Sequence, residues 1–334
     1  MPLALVTGAT GQVGSYIVER LMADSWRVRA LVRDPAAARW LATQGVELAR
    51  GDVLDAQQFA DAASRCDAIF HAAAVVTARG GWEHYRDSNV GGSRNAVDAA
   101  ASSGARLLQV SSVAVYGAAA RYRDEPTDEG TPFAPLPENA YYARSKRESE
   151  RLVLGAHAAG RIWAAAVRPD VIYGRRDRQF VPRLARLLEH GFFPVVGGGG
   201  STLAVVHAAS VADGAVRAVG TEAAGGQAYN VANDFPITVA SFARLAGEGL
   251  GRRVRLVSLP LSLARPAFDA LRSVVRVTRG AALAAQATGT LDFLSRDNPF
   301  TSERARRELG WSPPVAPESG VPEAFRWWKE HRAR

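Results

Sequence analysis

Three glycines near the start of the chain constrain its fold more than any other feature. Gly8, Gly11 and Gly14 stand between the apolar run Leu3–Val6 and the segment Ser15–Ala23, whose apolar residues recur at helical spacing. Glycines at such a strand-to-helix junction let the backbone turn tightly and approach a pyrophosphate, whose oxygens then meet free N–H groups at the helix start. The junction therefore predicts a dinucleotide-binding turn. Its predicted contact residues are Gly8, Thr10, Gly11, Gln12, Val13 and Gly14.

Strand and helix patterns alternate along the first 170 residues. Such alternation implies right-handed crossovers and a parallel, doubly wound α/β sheet of the Rossmann type. The predicted strands are Leu3–Val6, Val28–Val32, Val46–Leu48, Ala68–His71, Leu107–Ser111 and Ile162–Val167. The predicted helices are Ser15–Ala23, Ala56–Ser64, Asn89–Ser102 and Tyr141–Ala159.

The character of the sequence changes after Pro169. Residues 175–200 are rich in Arg, Phe and Gly, and the chain from about Pro236 is helical and less regular. We therefore expect a dinucleotide-binding domain at 1–174 and a smaller, mostly helical substrate domain at 175–202 and 232–334, interleaved with it. Later strands near 203–208 and 228–231 are expected to join the sheet of the first domain.

Composition narrows the class of protein. The 334 residues are 47% hydrophobic and 22% charged, which is typical of a soluble globular chain. A single cysteine, Cys66, excludes an internal disulfide and a cysteine-rich zinc site, so we predict no metal. The net charge of +8 comes from arginines spread along the chain rather than from a basic tract, which argues against nucleic-acid binding. With no signal-peptide pattern after Met1, we expect a cytoplasmic protein.

The segment 259–294 is mildly amphipathic, with arginines among Leu, Val, Phe and Ala. The arginines interrupt its apolar residues, whereas a membrane-spanning helix needs about 18 continuous apolar residues. An ordinary packed helix pair is the first interpretation. Peripheral contact with a membrane, or closure over an apolar substrate, are the alternatives.

The end of the second predicted strand bears on the choice of cofactor. Arg33 follows this strand, where an arginine accommodates the extra phosphate of NADP and an acidic residue would instead bind the ribose hydroxyls of NAD. Asp34 comes one residue late and could cap a helix starting at Pro35. The sequence thus favours NADP(H), with NAD(H) possible. Asp52, after the third strand, could accept a hydrogen bond from the adenine amine.

Tyr142 and Lys146 stand four residues apart on a predicted helix, so both fall on one face. A neighbouring ammonium lowers the pKa of a phenol, which can then exchange a proton with a carbonyl or alcohol oxygen. Ser111 and Ser112 follow a predicted strand and could hydrogen-bond the same oxygen; the alternative is that both cap a turn. The group predicts acid–base catalysis of hydride transfer.

These motifs together resemble the extended short-chain dehydrogenases/reductases (the NAD-dependent epimerase/dehydratase superfamily). Within that superfamily, the chain most resembles the 3β-hydroxysteroid dehydrogenase and dihydroflavonol reductase group. The motifs that carry the resemblance are Thr7–Gly14, Gly51–Asp52, His71–Ala74, Asn89–Ser93, Ser111–Gly117, Tyr142–Lys146, Arg168–Pro169, Ile172–Gly174, Tyr229–Val231 and Leu309–Trp311.

The resemblance implies a catalytic triad of Ser112, Tyr142 and Lys146. It also implies that Tyr142 and Lys146 contact the cofactor. The other implied cofactor contacts outside the glycine turn are Arg33, Asp52, Val53, Ala72, Ala73, Ala74, Pro169 and Ile172.

Two departures separate the chain from nucleotide-sugar enzymes of the same superfamily. Nucleotide-sugar dehydratases carry an acidic pair where this chain has Val113 and Ala114. Nucleotide-sugar enzymes usually carry an Arg-Asp pair where it has Leu203 and Ala204. Without that arginine, a sugar diphosphate lacks an evident partner. Substitutes are available among Arg175, Arg176 and Arg178.

The implied function is an NADP(H)-dependent oxidoreductase that interconverts a ketone and a secondary alcohol on a bulky apolar molecule, such as a steroid, flavonoid or keto acid. The apolar content of Phe180–Val196 and Leu259–Phe293 suits a pocket for it. The alternatives are a nucleotide-sugar epimerase with tightly bound NAD and a non-enzymatic sensor of the dinucleotide ratio. Homodimerisation through the helices Asn89–Ser102 and Tyr141–Ala159 is expected from the family.

Overall fold

The computed structural model describes residues 1–76, 80–117, 126–232, 235–260, 262, 266, 270 and 293–332. They form two compact units. The first unit holds the described residues of Met1–Asp170, Ala208–Ala232 and Phe300–Pro314. The second holds those of Val171–His207, Asn233–Pro299 and Val315–Arg334.

A seven-stranded parallel sheet organises the first unit and confirms the predicted doubly wound α/β fold. The strands of the chain are β1 (Leu3–Thr7), β2 (Arg27–Val32), β3 (Glu47–Arg50), β4 (Ala68–His71), β5 (Arg106–Val110), β6 (Ala164–Pro169), β7 (Val171–Tyr173), β8 (Phe192–Val196), β9 (Val205–His207), β10 (Ala228–Val231) and β11 (Arg255–Leu259). The spatial order of the seven is β10-β6-β5-β4-β1-β2-β3. The order reverses between β1 and β4, where doubly wound sheets open a crevice for ligands at the carboxyl ends of their strands.

Helices cover this sheet as the alternation predicted. The α-helices of the described chain are α1 (Gln12–Ala23), α2 (Arg39–Ala42), α3 (Ala56–Ala63), α4 (Trp82–Tyr85), α5 (Gly92–Ser103), α6 (Tyr141–Ala158), α7 (Phe180–Leu188), α8 (Ala208–Gly220), α9 (Val239–Leu250), α10 (Glu303–Leu309) and α11 (Pro317–His331). Side chains of α3, α5 and α6, including Phe59, Val97 and Val153, share one apolar core with Leu5 and Leu107 of the sheet. Helices α1 and α8 pack against each other.

The second unit contains helices and two short parallel sheets, β7 with β9 and β8 with β11. Its core includes Tyr173, Phe193, Phe242 and Phe325. The ring of Phe242 contacts those of Tyr173 and Phe325 at centroid distances of 5.4 and 6.1 Å.

The expected extent of the first domain differs from the structure at three places. The strand expected near 203–208 is β9, which pairs with β7 rather than with the seven-stranded sheet, because Leu203 and Val205 are buried in the second unit's core. Residues 171–174 accordingly group with the second unit. Residues 300–314 group with the first unit, where the buried Trp311 donates from its indole N–H to the Ser210 carbonyl. The strand near 228–231 does join the large sheet, as β10 beside β6.

No helix among the described residues is both long and apolar enough to cross a bilayer. Most of the segment 259–294, for which membrane contact was an alternative, lies outside the described residues.

Candidate active site

The glycine turn brings the backbones of two loops together at the end of β1. Gly8 has φ +68°, and a Cβ on it would lie 2.8 Å from the Ala73 nitrogen and 3.0 Å from the Ala72 carbonyl carbon. A Cβ on Gly14 would overlap the Gly8 carbonyl oxygen and lie 2.6 Å from its carbon. The Gly11 N–H closes the turn by donating to the Gly8 carbonyl at 2.8 Å. Only glycine fits Gly8 and Gly14, as a closely approached backbone requires.

The start of α1 can receive an anion. Gly11 is its N-cap, and no side chain within the described part of the chain accepts from the first-turn N–H groups. The buried side-chain amide nitrogen of Gln12 also has no hydrogen-bond partner among the described residues. Unpaired donors at a helix N-terminus, with the helix dipole behind them, suit the pyrophosphate of a dinucleotide.

A buried hydrogen bond joins this turn to the end of β4. The Thr7 Oγ1 and His71 Nδ1 atoms are 2.8 Å apart, and the Thr7 oxygen also accepts from the Ala73 N–H at 3.2 Å. Thr7 and His71 are both fully buried. The predicted cofactor residues Ala72, Ala73 and Ala74 are therefore held against the glycine turn, half-buried in the loop after β4.

Burial, with a smaller contribution from the nearby Lys146, lowers the pKa of His71 to about 3. The unfolded chain binds this proton near pH 6.5, so protonation favours unfolding as the pH falls from 6.5 toward 3. We expect the free energy of unfolding to decrease over this window by up to about 1.4 kcal/mol per pH unit from this group. Thermal melts of His71→Asn between pH 7 and 4 should show a shallower loss of stability than the wild type.

The exposed His190 gives the matched control, since His190→Asn removes a histidine without changing a buried one. His207 is also buried, and burial lowers its pKa to about 4. Part of the loss of stability with falling pH should therefore remain in every variant. Equal slopes for His71→Asn and the wild type would contradict the assignment.

Three charged side chains, Arg33, Asp34 and Asp52, follow the carboxyl ends of β2 and β3. Arg33 is exposed and makes no ion pair with any described residue. The Asp34 carboxylate accepts from the N–H groups of Ala36 and Ala37 at 2.9 and 3.4 Å. It thus caps a turn; the helix expected from Pro35 begins only at Arg39. Asp52 is half-buried and accepts from the Leu54 N–H at 3.0 Å.

Lys146 lies in the interior of the first unit, at the carboxyl end of β5. Its side chain is 4% exposed and its Nζ donates to the Val110 carbonyl at 2.7 Å. Tyr142 is half-buried one helical turn earlier. Burial lowers the pKa of Lys146 to about 8, and the charge of Glu150 opposes that shift.

The two candidate serines differ in their surroundings. Ser112 is half-buried, and its Oγ accepts from the Ala114 N–H at 3.2 Å, which caps the 3-10 turn Val113–Tyr116. Ser111 is buried, and its Oγ has no hydrogen-bond partner among the described residues. The capping alternative therefore holds for Ser112, whose hydroxyl hydrogen remains free to donate elsewhere.

Two further features of this region were missed by sequence reasoning. Asn89 lies in a π-helical segment, Arg86–Gly91, and its side-chain amide bonds both backbone groups of Val75 and the hydroxyl of Ser145 at 2.7 to 3.0 Å. Such irregular turns inside helices are frequent at functional sites. The second feature is a buried ion pair: Glu150 on α6 accepts three hydrogen bonds of 2.6 to 3.2 Å from Arg168 on β6.

Three other predicted cofactor contacts, Val53, Pro169 and Ile172, lie at separate places in the fold. Val53 is half-buried, with its carbonyl accepting from the Asn95 side chain at 2.9 Å. Pro169 ends β6 opposite Val231 of β10. Ile172 lies on β7 in the second unit.

The positions that distinguish nucleotide-sugar enzymes hold apolar side chains in ordinary packing. Val113 and Leu203 are 4% and 3% exposed. Of the arginines that could replace the missing cation, Arg175 forms an ion pair with Glu323 at 3.3 Å. The apolar side chains of Phe180–Val196 are also mostly in the second unit's core, so they do not by themselves indicate a pocket.

Comparison with known proteins decides the family. The model of the NAD dependent epimerase/dehydratase family matches residues 4–232. The chain belongs to this family. It is accordingly an NAD(P)-dependent enzyme of the short-chain dehydrogenase/reductase type, as its motifs predicted.

Similar proteins of known name include reductases and a steroid dehydrogenase. The chain is 29% identical over 319 residues to the 4-hydroxy-2-methyl-3-oxo-4-farnesyl-3,4-dihydroquinoline-1-oxide ketoreductase of Stigmatella aurantiaca, covering 95% of this chain and 93% of that protein. It is 30% identical over 328 residues to a 2-alkyl-3-oxoalkanoate reductase of Stenotrophomonas maltophilia, covering 95% and 96%. A 3 beta-hydroxysteroid dehydrogenase/Delta 5-->4-isomerase of Mycobacterium tuberculosis is 27% identical, covering 97% and 90%. The resemblance to the 3β-hydroxysteroid dehydrogenase group is thus confirmed.

The fold also matches solved structures. The dTDP-glucose 4,6-dehydratase of Streptomyces venezuelae, solved with NAD, superposes with a TM-score of 0.74. The match covers 99% of this chain and 98% of the dehydratase chain, with 24% sequence identity. At this identity the match supports the fold alone.

Proposed function

We propose that the chain is an NADP(H)-dependent oxidoreductase that interconverts a ketone and a secondary alcohol on a bulky apolar small molecule. The observation that carries the proposal is the position of Lys146. Lys146 is buried, and its Nζ donates to the carbonyl of Val110, which ends β5 two residues before Ser112. On α6 it follows Tyr142 by one helical turn. Folds of this type bind their ligands at the carboxyl edge of the sheet, so an ammonium, a phenol and a hydroxyl from this region support the proposed chemistry.

In the proposed mechanism, Tyr142 gives a proton to the carbonyl oxygen during reduction and takes it back during oxidation. NADP(H), when bound, would supply or accept the hydride. Lys146 favours the phenolate and so brings the pKa of Tyr142 down toward the working pH. The Ser112 hydroxyl donates to the developing oxyanion. The glycine turn and the Gln12 amide would hold the pyrophosphate.

Three relatives support the apolar carbonyl as substrate class. Their names describe a farnesylated quinoline oxide, 2-alkyl-3-oxoalkanoates and a 3β-hydroxysteroid. The test is NADPH oxidation by the purified protein across a panel of bulky apolar ketones. No turnover on the panel, together with retained NAD and epimerisation of a sugar nucleotide, would establish the alternative epimerase instead.

The preference for NADP(H) is supported by the side chains after β2. The Arg33 guanidinium is exposed and unpaired with described residues, whereas the Asp34 carboxylate is occupied by two backbone N–H groups. A 2′-phosphate can bind the guanidinium in a bidentate fork.

Arg33→Gln should therefore raise the KM for NADPH by roughly 10- to 100-fold. This range corresponds to the loss of a hydrogen bond to a charged group, which contributes about 1.5–3 kcal/mol. The KM for NADH should change little. Arg27→Gln is the matched control, because Arg27 is an exposed arginine at the opposite end of β2. A NADPH/NADH preference unchanged in Arg33→Gln would refute the role of Arg33.

The homodimer through α5 and α6, the cytoplasmic location and peripheral membrane contact stay predictions. Contacts of the cofactor with Asp52, Val53, Ala72, Ala73, Ala74, Pro169 and Ile172 are part of the same proposal.

A further inference from the structure

Lys146 is a buried side chain of the first unit whose hydrogen-bond partner is an uncharged carbonyl. Two of the 41 basic residues of the chain are lysines, Lys146 and Lys329, and only the first is buried. Removing an ammonium from water is costly unless charge or hydrogen bonds compensate for it. The Val110 carbonyl offers Lys146 a dipole but no charge. A negative charge nearby would compensate more fully.

Glu150 supplies such a charge from the next turn of α6. It follows Lys146 by four residues, so the two side chains share one face of the helix, and it is 2% exposed. The Arg168 Nε and Nη2 atoms lie 3.0 and 2.6 Å from its two carboxylate oxygens. Arg168 is itself fixed, because its Nη1 donates to the Tyr116 hydroxyl at 2.8 Å and its guanidinium lies over the Phe133 ring. The carboxylate is therefore held in one position by a buried ion pair.

We propose that Glu150, clamped by Arg168, is a positioning residue that keeps the buried Lys146 side chain an ammonium at neutral pH. The inference rests on the proposed function for its catalytic consequence, since Lys146 must be charged to activate Tyr142. The competing interpretation is that the Glu150–Arg168 pair only cross-links α6 to β6.

Glu150 is the charged group that acts on the pKa of Lys146, and it favours the ammonium. From β4, His71 is neutral above pH 4, because burial lowers its pKa to about 3. From the 3-10 turn, Tyr116 is neutral, because burial raises its pKa to about 12. Arg168, from β6, is positive. Tyr142 is the titratable neighbour of Lys146 on α6 itself. Charged side chains on α4, the π-helical segment and α5 are exposed; they are Glu83, Arg86, Asp87, Arg94 and Asp98.

The direction of the effect follows from these charges. Burial already lowers the pKa of Lys146 to about 8, and Glu150 raises it. Without the carboxylate, the pKa of Lys146 should fall further, because an opposite charge that favours the ammonium is removed. At neutral pH a larger fraction of the side chain would then be an uncharged amine.

The small number of lysines makes this shift directly measurable. In the full-length protein labelled with carbon-13 at lysine Cε, NMR should show two signals, and Lys329→Arg assigns them by removing the exposed one. The Lys146 signal should titrate near pH 8 in the wild type. In Glu150→Gln it should titrate at a lower pH, and the alkaline limb of the kcat/KM profile should move down with it.

Glu150→Gln leaves Arg168 buried without its partner, which can prevent folding. The double variant Glu150→Leu/Arg168→Met replaces the pair by apolar side chains of similar size, a change that proteins often tolerate. Because this variant also removes the Arg168 cation, we expect its Lys146 titration to fall by less than in Glu150→Gln, but still below that of the wild type. Arg168→Lys keeps both Glu150 and a cation against it, so this variant should retain the titration of the wild type.

A Lys146 titration in the double variant equal to that of the wild type would overturn the proposal and leave the pair a structural cross-link. The NMR measurement needs no turnover. Should the protein prove inactive on every ketone, the proposed function would fail while the titration still decided the role of Glu150.

Discussion

Tyr142→Phe is expected to bind NADPH as tightly as the wild type and to lose turnover by a factor of roughly 10² to 10⁴, the contribution of a positioned acid–base group. The substitution removes one hydroxyl and keeps the ring, so the packing at the start of α6 is preserved. The oxyanion formed by hydride arrival would then have no proton donor. Single-turnover measurements of NADPH oxidation, with cofactor affinity followed by fluorescence, separate the two effects.

The neighbouring tyrosine provides a matched control. Tyr141 contacts Trp82 and Tyr85 through its ring, at centroid distances of 6.5 and 6.2 Å. Tyr141→Phe keeps these contacts and should retain turnover. Full turnover in Tyr142→Phe would exclude Tyr142 as the proton donor and with it the proposed mechanism.

The large sheet could be predicted because central strands such as β1 and β4 are short, buried apolar runs next to helical patterns. β1, for example, is buried at all five residues, as a central parallel strand must be. The same reasoning recognised the strand at Leu203–Val206 but not its partner. An apolar run indicates burial, whereas the sheet that it joins depends on the core that it enters. Val205 shares the core of the second unit with Phe242 and Phe325, which are distant in sequence.

Within the candidate site, residues could be found where the chemistry depends on spacing along the chain. Tyr142 and Lys146 are one helical turn apart, and Gly8, Gly11 and Gly14 surround one turn. Partners that are distant in sequence were missed.

The bond between Thr7 and His71 spans 64 positions, and Arg168 reaches Glu150 across 18. For Glu150 a local signal did exist, since it lies four residues after Lys146. A glutamate at that spacing is, however, common on exposed helices, and only burial distinguishes this one.

Gly14→Ala is expected to impair cofactor binding more than any other single methyl group in the turn. The added Cβ would meet the Gly8 carbonyl group and lie 2.9 Å from the Ala9 Cα, all of it backbone that cannot rotate away. The turn must therefore open and carry the first N–H groups of α1 away from the pyrophosphate. Losing one or two hydrogen bonds to a charged group raises the Kd for NADPH by roughly 10- to 100-fold or more.

The same clash should cost about 1–3 kcal/mol in the free energy of unfolding without cofactor, as overpacking does in well-packed cores. Gly220→Ala is the control, because Gly220 ends α8, is exposed and has open space where its Cβ would stand. That variant should bind NADPH normally and change stability by no more than about 0.5 kcal/mol. Calorimetric titration with NADPH and chemical denaturation of both variants give the comparison. Wild-type affinity in Gly14→Ala would mean that the dinucleotide does not lie against this turn, and the cofactor site would have to be sought elsewhere on the sheet edge.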